Sequence, residues 1–432
     1  MKSLISCGLL LLFFTSISLA QSVNARFSTY FYTWERYDSI LTNGSNESTT
    51  HVRGYQNFLL NVSDKKWSFN TLAQTEEDVM NKVGRGFNYR FYNFYFKGKN
   101  LFDVLDVKLG RQWVSAGARK GSIDGLYLNL KFGKQKEYQL TGYGGVLTPL
   151  DYRIKEYPDV ADNYLMGAQF RYYGVKDLML SLSFSNKHRK PESYLALRAD
   201  SLFNTKEVMV ETDSPADRLV GLDFNYRLKN RHNFFGKAYY DLNLKKILRG
   251  EINARFGLTD ALKLSLGYQY REPQISYNTI FWVFNHYKNQ EIEGGLDYTF
   301  MKSYNVYARV SNVIYEDDNS LKFQIGISHP SYGISFVKYD GFTGESDGAS
   351  AYYNREIVKS KLSLSSSLNY SNYKLGEYAD DKVTSFSGLL GFTYRPMPQI
   401  SVDLQGQFIT NRVYDFDTRF LLGFNYWLFN KF

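Results

Sequence analysis

Residues 262–271 alternate without a break. Leu262, Leu264, Leu266, Tyr268 and Tyr270 share one parity; Lys263, Ser265, Gly267, Gln269 and Arg271 share the other. A β-strand sends successive side chains to opposite faces, so one face is apolar and the other carries two cations. Slipping the register by one residue would turn both cations onto the apolar side, costing about 2–4 kcal/mol each near the middle of a bilayer. The same test separates Val220, Leu222, Phe224 and Tyr226 from Asp223, Asn225 and Arg227. It separates Leu126, Leu128, Leu130 and Phe132 from Tyr127, Asn129 and Lys131, and Ile292, Leu296, Tyr298 and Phe300 from Glu293, Gly295 and Asp297. Leucines that must face lipid make closure obligatory, because an open sheet edge in hydrocarbon leaves N–H and C=O groups unpaired.

The pattern recurs along the chain as roughly twenty-two segments of about eight to fourteen residues. Short connections fall at 63–65, 98–100, 133–134, 174–176, 229–231, 259–260, 301–303, 329–331, 359–360 and 395–398. Longer ones are expected near 36–50, 75–83, 112–122, 147–161, 187–215, 272–289, 341–350 and 373–381. Short turns on one rim and long loops on the other describe an all-β, closed, antiparallel transmembrane barrel with periplasmic turns and extracellular loops. Both termini fall on the turn side, so the strand number is even; the best estimate is about 22, in a range of about 18 to 22. Residues 21–432 then form a single outer-membrane barrel domain.

Aromatic residues make up 17% of the chain, with 37 Tyr and 33 Phe against 8 Pro. That is more than a soluble sandwich needs and what two aromatic girdles require. The mean hydropathy of -0.39, with no later apolar run near about eighteen residues, excludes a helical membrane protein. Lys2, the apolar run 9–14 and Ser18-Leu19-Ala20 before Gln21 mark residues 1–20 as a secretory signal peptide. Cys7, the only cysteine, lies inside it, so the mature chain has no disulfide and no cysteine metal site. The formal charge is +9, but Lys and Arg are scattered singly, which argues against nucleic acid.

By parity the inner face carries Arg90, Lys108, Lys131, Arg171, Arg227, Lys237, Arg255, Lys263, Arg271, Arg309 and Lys322. It also carries Asp106, Asp223, Asp241, Glu251, Glu291, Glu293, Asp297 and Asp403. A barrel this wide cannot fill its centre with side chains, so a polar wall implies water inside, and these residues are the pore-lining candidates. Pairing across neighbouring strands is the alternative use of the same charges. Two loops are candidates for narrowing the mouth. Residues 187–215 form either an inward constriction or an external hairpin, and 280–287 either a sugar-stacking surface or an extension of the aromatic girdle.

The last strand keeps Phe420, Leu422, Phe424, Tyr426 and Leu428 on one face up to the terminal Phe432. It resembles the closing strand and assembly signal of bacterial outer-membrane β-barrel proteins. The stretch Leu109-Gly110-Arg111-Gln112, with Gly121-Ser122-Ile123-Asp124-Gly125-Leu126-Tyr127 after it, is similar to the porin and alginate-export-like outer-membrane families. The resemblance implies a monomeric or trimeric diffusion channel for small anions, sugars or polysaccharide. In alginate-export-like channels a ladder of arginines lines the pore. Here Arg111 has the parity of Leu105, Val107 and Leu109, which aims it outward at the headgroups unless a bulge at Gly110 turns it inward.

Catalysis has little to work with. The histidines are His51, His188, His232, His286 and His329, and no H-E-x-x-H, P-loop or G-x-G-x-x-G motif occurs; the G-x-S-x-G pattern occurs once, at Gly344-Glu345-Ser346-Asp347-Gly348. Glu316–Asn319 and Asp380-Asp381 read as solvated turns. The expectation is an outer-membrane, porin-like passive channel for small hydrophilic, anionic or sugar-like solutes, with no catalytic residue, cofactor or metal. The alternatives are a non-conducting anchor, adhesin or secretion-associated barrel, or an outer-membrane hydrolase. Expected partners are outer-membrane lipid and lipopolysaccharide, the barrel-assembly machinery acting on the C-terminal strand, and the solutes themselves.

Overall fold

The computed structural model describes residues 22–38, 49–81, 86–154, 157, 159–191, 193–199, 203–211, 216–274, 288–316, 318–341, 344–375, 381–412 and 414–431. The alternating segments become strands β1 (Ser22–Asp38), β2 (Thr49–Ser63), β3 (Trp67–Met80), β4 (Asn88–Leu101), β5 (Leu105–Val114), β6 (Gly121–Phe132), β7 (Tyr138–Leu147) and β8 (Asn163–Tyr172). They continue as β9 (Leu178–Arg189), β10 (Tyr194–Ala199), β11 (Thr205–Val210), β12 (Asp217–Leu228), β13 (His232–Asp241), β14 (Lys246–Gly257), β15 (Leu262–Arg271) and β16 (Asn289–Phe300). The last are β17 (Tyr304–Ile314), β18 (Asn319–Ser328), β19 (Tyr332–Gly341), β20 (Gly344–Val358), β21 (Leu362–Leu375), β22 (Val383–Met397), β23 (Ile400–Thr410) and β24 (Tyr414–Lys431).

Twenty-two of these form one antiparallel sheet. Each pairs with its chain neighbours, β9 pairs with β12, and β1 pairs with β24 along its whole length, so the sheet closes. Directly paired residues share a face, and the register therefore carries the face around the ring. One outer row runs Leu105, Leu130, Leu140, Phe170, Leu182, Leu222 and Ala238. One inner row runs Asp106, Asn129, Thr141, Gln169, Ser183, Gly221, Tyr239, Arg249, Arg271 and Asn289. Leu182, Leu222, Leu266, Leu296, Leu404 and Phe424 are all exposed on the outer face. A ring of exposed leucines is a fault in water and the expected surface against hydrocarbon.

The rim carrying β-turns is short throughout, although the turn expected at 98–100 sits at 102–104 because β4 continues to Leu101. The other rim is uneven. The loop expected near 341–350 is strand on both sides: β19 reaches Gly341, β20 begins at Gly344, and both glycines have positive φ (139° and 119°). The connections 242–245, 315–318 and 411–413 are also short, whereas 148–162 and 190–216 are long.

Replacing Leu266 by Arg puts a charge on the lipid face and should lower unfolding stability in vesicles by about 2–4 kcal/mol. Ser265→Arg, one residue along and facing inward, should change it by less than about 1 kcal/mol. Urea titration of the two variants followed by Trp fluorescence compares them directly.

Candidate functional site

The β5–β6 hairpin stays in the wall only as far as a row of glycines. Gly110 pairs with Gly125, and Gly125 pairs with Gly145, all on the inner face of three adjacent strands. Gly110 has φ of 121°, and a Cβ on Gly125 would sit 2.2 Å from the Gly144 carbonyl oxygen. Residues without side chains let the backbones approach this closely, and the sheet creases there. Beyond the crease the hairpin leans into the barrel. Val114 and Ala116 bury against Ile123, Leu147 and Leu165, which have inner-face parity. Ile123 and Leu165 are 0% exposed. Gly117 meets Ser183 on β9, and Arg119 at the tip pairs with Asp217 on β12 (3.0 Å) and donates to Gln274 (2.9 Å). Residues 115–120 thus cross the inner wall from β6 to β12 and narrow the lumen.

This departure ends the β4–β5 ladder at the pair Phe94–Arg111. The segment after β7 fills the gap: the Phe91 N–H donates to the Tyr152 carbonyl at 3.0 Å. Arg111 clips the layers together. Its Nε and Nη2 donate to Asp124 (2.9 Å each), Nη1 to the carbonyls of Phe91 (3.1 Å) and Tyr152 (2.7 Å), and Nη2 also to the Tyr157 hydroxyl (2.9 Å). The expected headgroup contact is therefore corrected. Arg111 keeps the parity of Leu109 but is only 3% exposed, because the hairpin leans away and the loop closes over it. Burial, then the Asp124 carboxylate, pushes the Tyr157 hydroxyl up, so it keeps its proton at neutral pH and donates to Asp124 at 2.7 Å.

The register sets Arg90, Asp106, Lys108, Lys131, Arg171, Asp223, Arg227, Lys237, Asp241, Glu251, Arg255, Lys263, Arg271, Glu293, Asp297, Arg309, Lys322 and Asp403 opposite to the apolar outer rows. Many are paired along the wall. Arg90 bonds Glu76 (2.8 Å), Lys131 bonds Asp106 (2.6 Å), and Glu251 takes both Lys237 (3.4 Å) and Arg249 (2.9 Å). Asp403 accepts from Thr393 (2.6 Å) and Asn425 (2.8 Å). Asp241 departs from the expected lumen role: it is 4% exposed and accepts the backbone N–H groups of Asn243 (2.7 Å) and Leu244 (2.9 Å), holding the turn. Among the described residues Lys108, Arg171, Arg227, Lys263, Arg271, Lys322, Glu291 and Glu293 have no ion-pair partner.

Charge at the hairpin tip is lopsided. Lys187 lies in the field of Arg119, Arg189 and Asp217, and Asp223 in that of Lys237, Arg171 and Lys120. Six cations face three carboxylates there: Asp217, Asp223 and the Glu251 that pairs with Lys237. Arg119, Lys120, Lys187 and Arg189 were absent from the parity-based set, and the narrowing comes from 115–120. The 187–215 segment instead holds the β10–β11 ribbon, which pairs with no wall strand and leaves Leu195, Leu197 and Met209 exposed. Residues 280–287 lie outside the described residues.

No protein-family model matches the sequence, and neither does any curated protein. Solved structures similar to it include Acinetobacter baumannii OccAB3, at 11% identity and a TM-score of 0.43 over 94% of this chain and 99% of that one. Pseudomonas aeruginosa OccK2 (OpdF) matches at 7% identity and 0.41 over 94% and 98%. The translocation pore of the P pilus usher PapC matches at 10% and 0.44 over 93% and 99%.

Removing the clip with Arg111→Met leaves Asp124 with the Tyr157 hydroxyl alone and the Tyr152 carbonyl with the Phe91 N–H alone, and takes the guanidinium donor from the Phe91 carbonyl. Thermal unfolding in detergent should show a loss of about 1.5–3 kcal/mol, with Arg111→Lys intermediate because a point charge cannot bond Asp124 through two parallel N–H groups.

Proposed function

We propose that the chain is an outer-membrane channel through which small hydrophilic solutes diffuse passively, with anions favoured at the narrowest point. Residues 1–20 would act as its export leader. The carrying observation is the closed ring of 22 strands with a polar inner face, into which a packed hairpin brings surplus positive charge. Twenty-two spacings of about 4.8 Å at the tilt of such barrels give a wall roughly 40 Å across. A six-residue loop, 115–120, narrows such a space without filling it. Cations held by low-dielectric walls concentrate anions at the eyelet. Nothing in this reading calls for chemistry: a solute leaves as it entered.

Purified protein in a planar bilayer with a tenfold KCl gradient should show steady conductance and a reversal potential of the sign set by chloride. Arg119→Glu with Lys120→Glu should move that potential toward potassium. A folded barrel that stays electrically silent, or one whose selectivity ignores both changes, overturns the reading.

A further inference from the structure

A second feature of the inner wall lies in β13–β17, apart from the hairpin. Two rows of paired residues cross it: Phe235, Asn253, Gly267, Glu293 and Ser311, then Asn233, Arg255, Ser265, Gly295 and Arg309. The middle of both rows is small. Ser265 turns its hydroxyl into the Gly295 carbonyl (3.2 Å), so backbone forms the floor of a recess of about 350 Å³. Phe235, Asn253 and Arg255 stand on one side of it, Glu293 and Arg309 on the other.

The charges in this recess have a pattern. Arg255 and Arg309 converge on one carboxylate, Asp297, at 3.6 and 3.5 Å. The Asp297 side chain is 8% exposed and that of Arg255 53%, so two cations share one buried anion and turn about one net positive charge to the lumen. Glu293 has no ion-pair partner among the described residues and supplies the opposite sign. The recess is neutral overall and strongly dipolar. The two rows are two residues apart along each strand, about 7 Å of backbone, and Asp297, towards which both guanidiniums reach, is two residues further, so the backbone spacing between the charged ends runs from about 7 to about 14 Å.

A simple anion meets the arginines but also the Glu293 carboxylate. A sugar leaves both charged ends without a counter-charge. A zwitterion satisfies both if its charges span that gap, which takes about two to four extended residues and is beyond the reach of one. We propose that this recess binds short zwitterionic peptides of about two to four residues, with the carboxylate on Arg255 and Arg309 and the ammonium on Glu293. Asn253, whose Nδ2 is committed to Glu251 (2.8 Å), keeps its Oδ1 for the peptide N–H. The inference rests on the channel reading, since the peptide enters from the lumen.

Titration calorimetry on the detergent-folded barrel tests it with diglycine, glycine, triglycine and N-acetyl-diglycine. Diglycine should bind at least about tenfold more tightly than glycine or the acetylated form, and Glu293→Gln should remove about that factor for diglycine alone. Glu293→Lys should invert the order, so that the acetylated peptide binds better. Retained heat-modifiable migration on gels shows that each variant is folded. Equal binding of diglycine and glycine, no binding of any peptide, or indifference to both Glu293 changes overturns the site. Conductance separates it from the channel reading: a barrel that binds diglycine but is silent in KCl loses the channel and keeps the site, and a conducting barrel without peptide binding does the reverse.

Discussion

At the level of the hydrocarbon the wall meets lipid on its outer side, where no water can replace a missing backbone partner, and the architecture follows from that. An unpaired N–H or C=O in hydrocarbon costs several kcal/mol, so a sheet facing lipid has to end on itself. The β1–β24 ladder does this over the full length of β1. The same rule governs the place where the β4–β5 ladder stops early. Where β5 leaves β4 above Phe94, the Phe91 N–H finds the Tyr152 carbonyl, and the Arg111 guanidinium takes the carbonyls of both residues. The ladder is broken there, yet its polar groups are not left bare.

That substitution lets a wall hairpin become a lumen element. Leaning inward buries Ile123, Leu165, Leu147 and Val114, and each fully buried large apolar side chain contributes roughly 1.5–3 kcal/mol. This offsets the lost β4–β5 pairing. It also distinguishes the hairpin from a solvated loop: Arg119 is carried on a packed support and held by Asp217 and Gln274, so its charge has a fixed place in the cross-section. A charge on a mobile tether screens itself with water, whereas a positioned one shapes the path of a passing ion.

Face was the most legible property of the sequence, since one slipped residue would drive Lys263 or Arg271 into lipid, and the register agrees around the whole ring. Covering was not legible. Parity assigns Arg111 to the outer side but cannot say that residues 149–154 lie over it. The constriction did leave a trace: Val114, Ile123, Leu147 and Leu165 are apolar at inner-face positions, a breach of the polar-inside rule clustered at one end of neighbouring strands. Read as a breach, it points to something packed within the barrel. The recess left no such trace, because Gly267 and Glu293 become neighbours only through a register that joins strands separated by a long connection. Loop length was the poorest guide: β19 runs to Gly341 and β20 starts at Gly344, within the span expected to be a long loop.

The two polar features of the lumen act over different ranges. Surplus charge at the hairpin tip is felt out to about a Debye length, roughly 8 Å at physiological salt, and raises the local concentration of anions before any contact. A dipolar, neutral recess has almost no reach and selects only at contact, when both ends of a solute are satisfied together. The sharing of Asp297 matters for this. Two bare guanidiniums would hold a carboxylate tightly, and a passive channel fails if its solute cannot leave. A buried carboxylate between them halves that grip while keeping both donors aimed at the lumen. Weak, geometrically demanding binding is what a diffusion pathway tolerates, and the wall achieves it by arranging charges of both signs rather than by removing them.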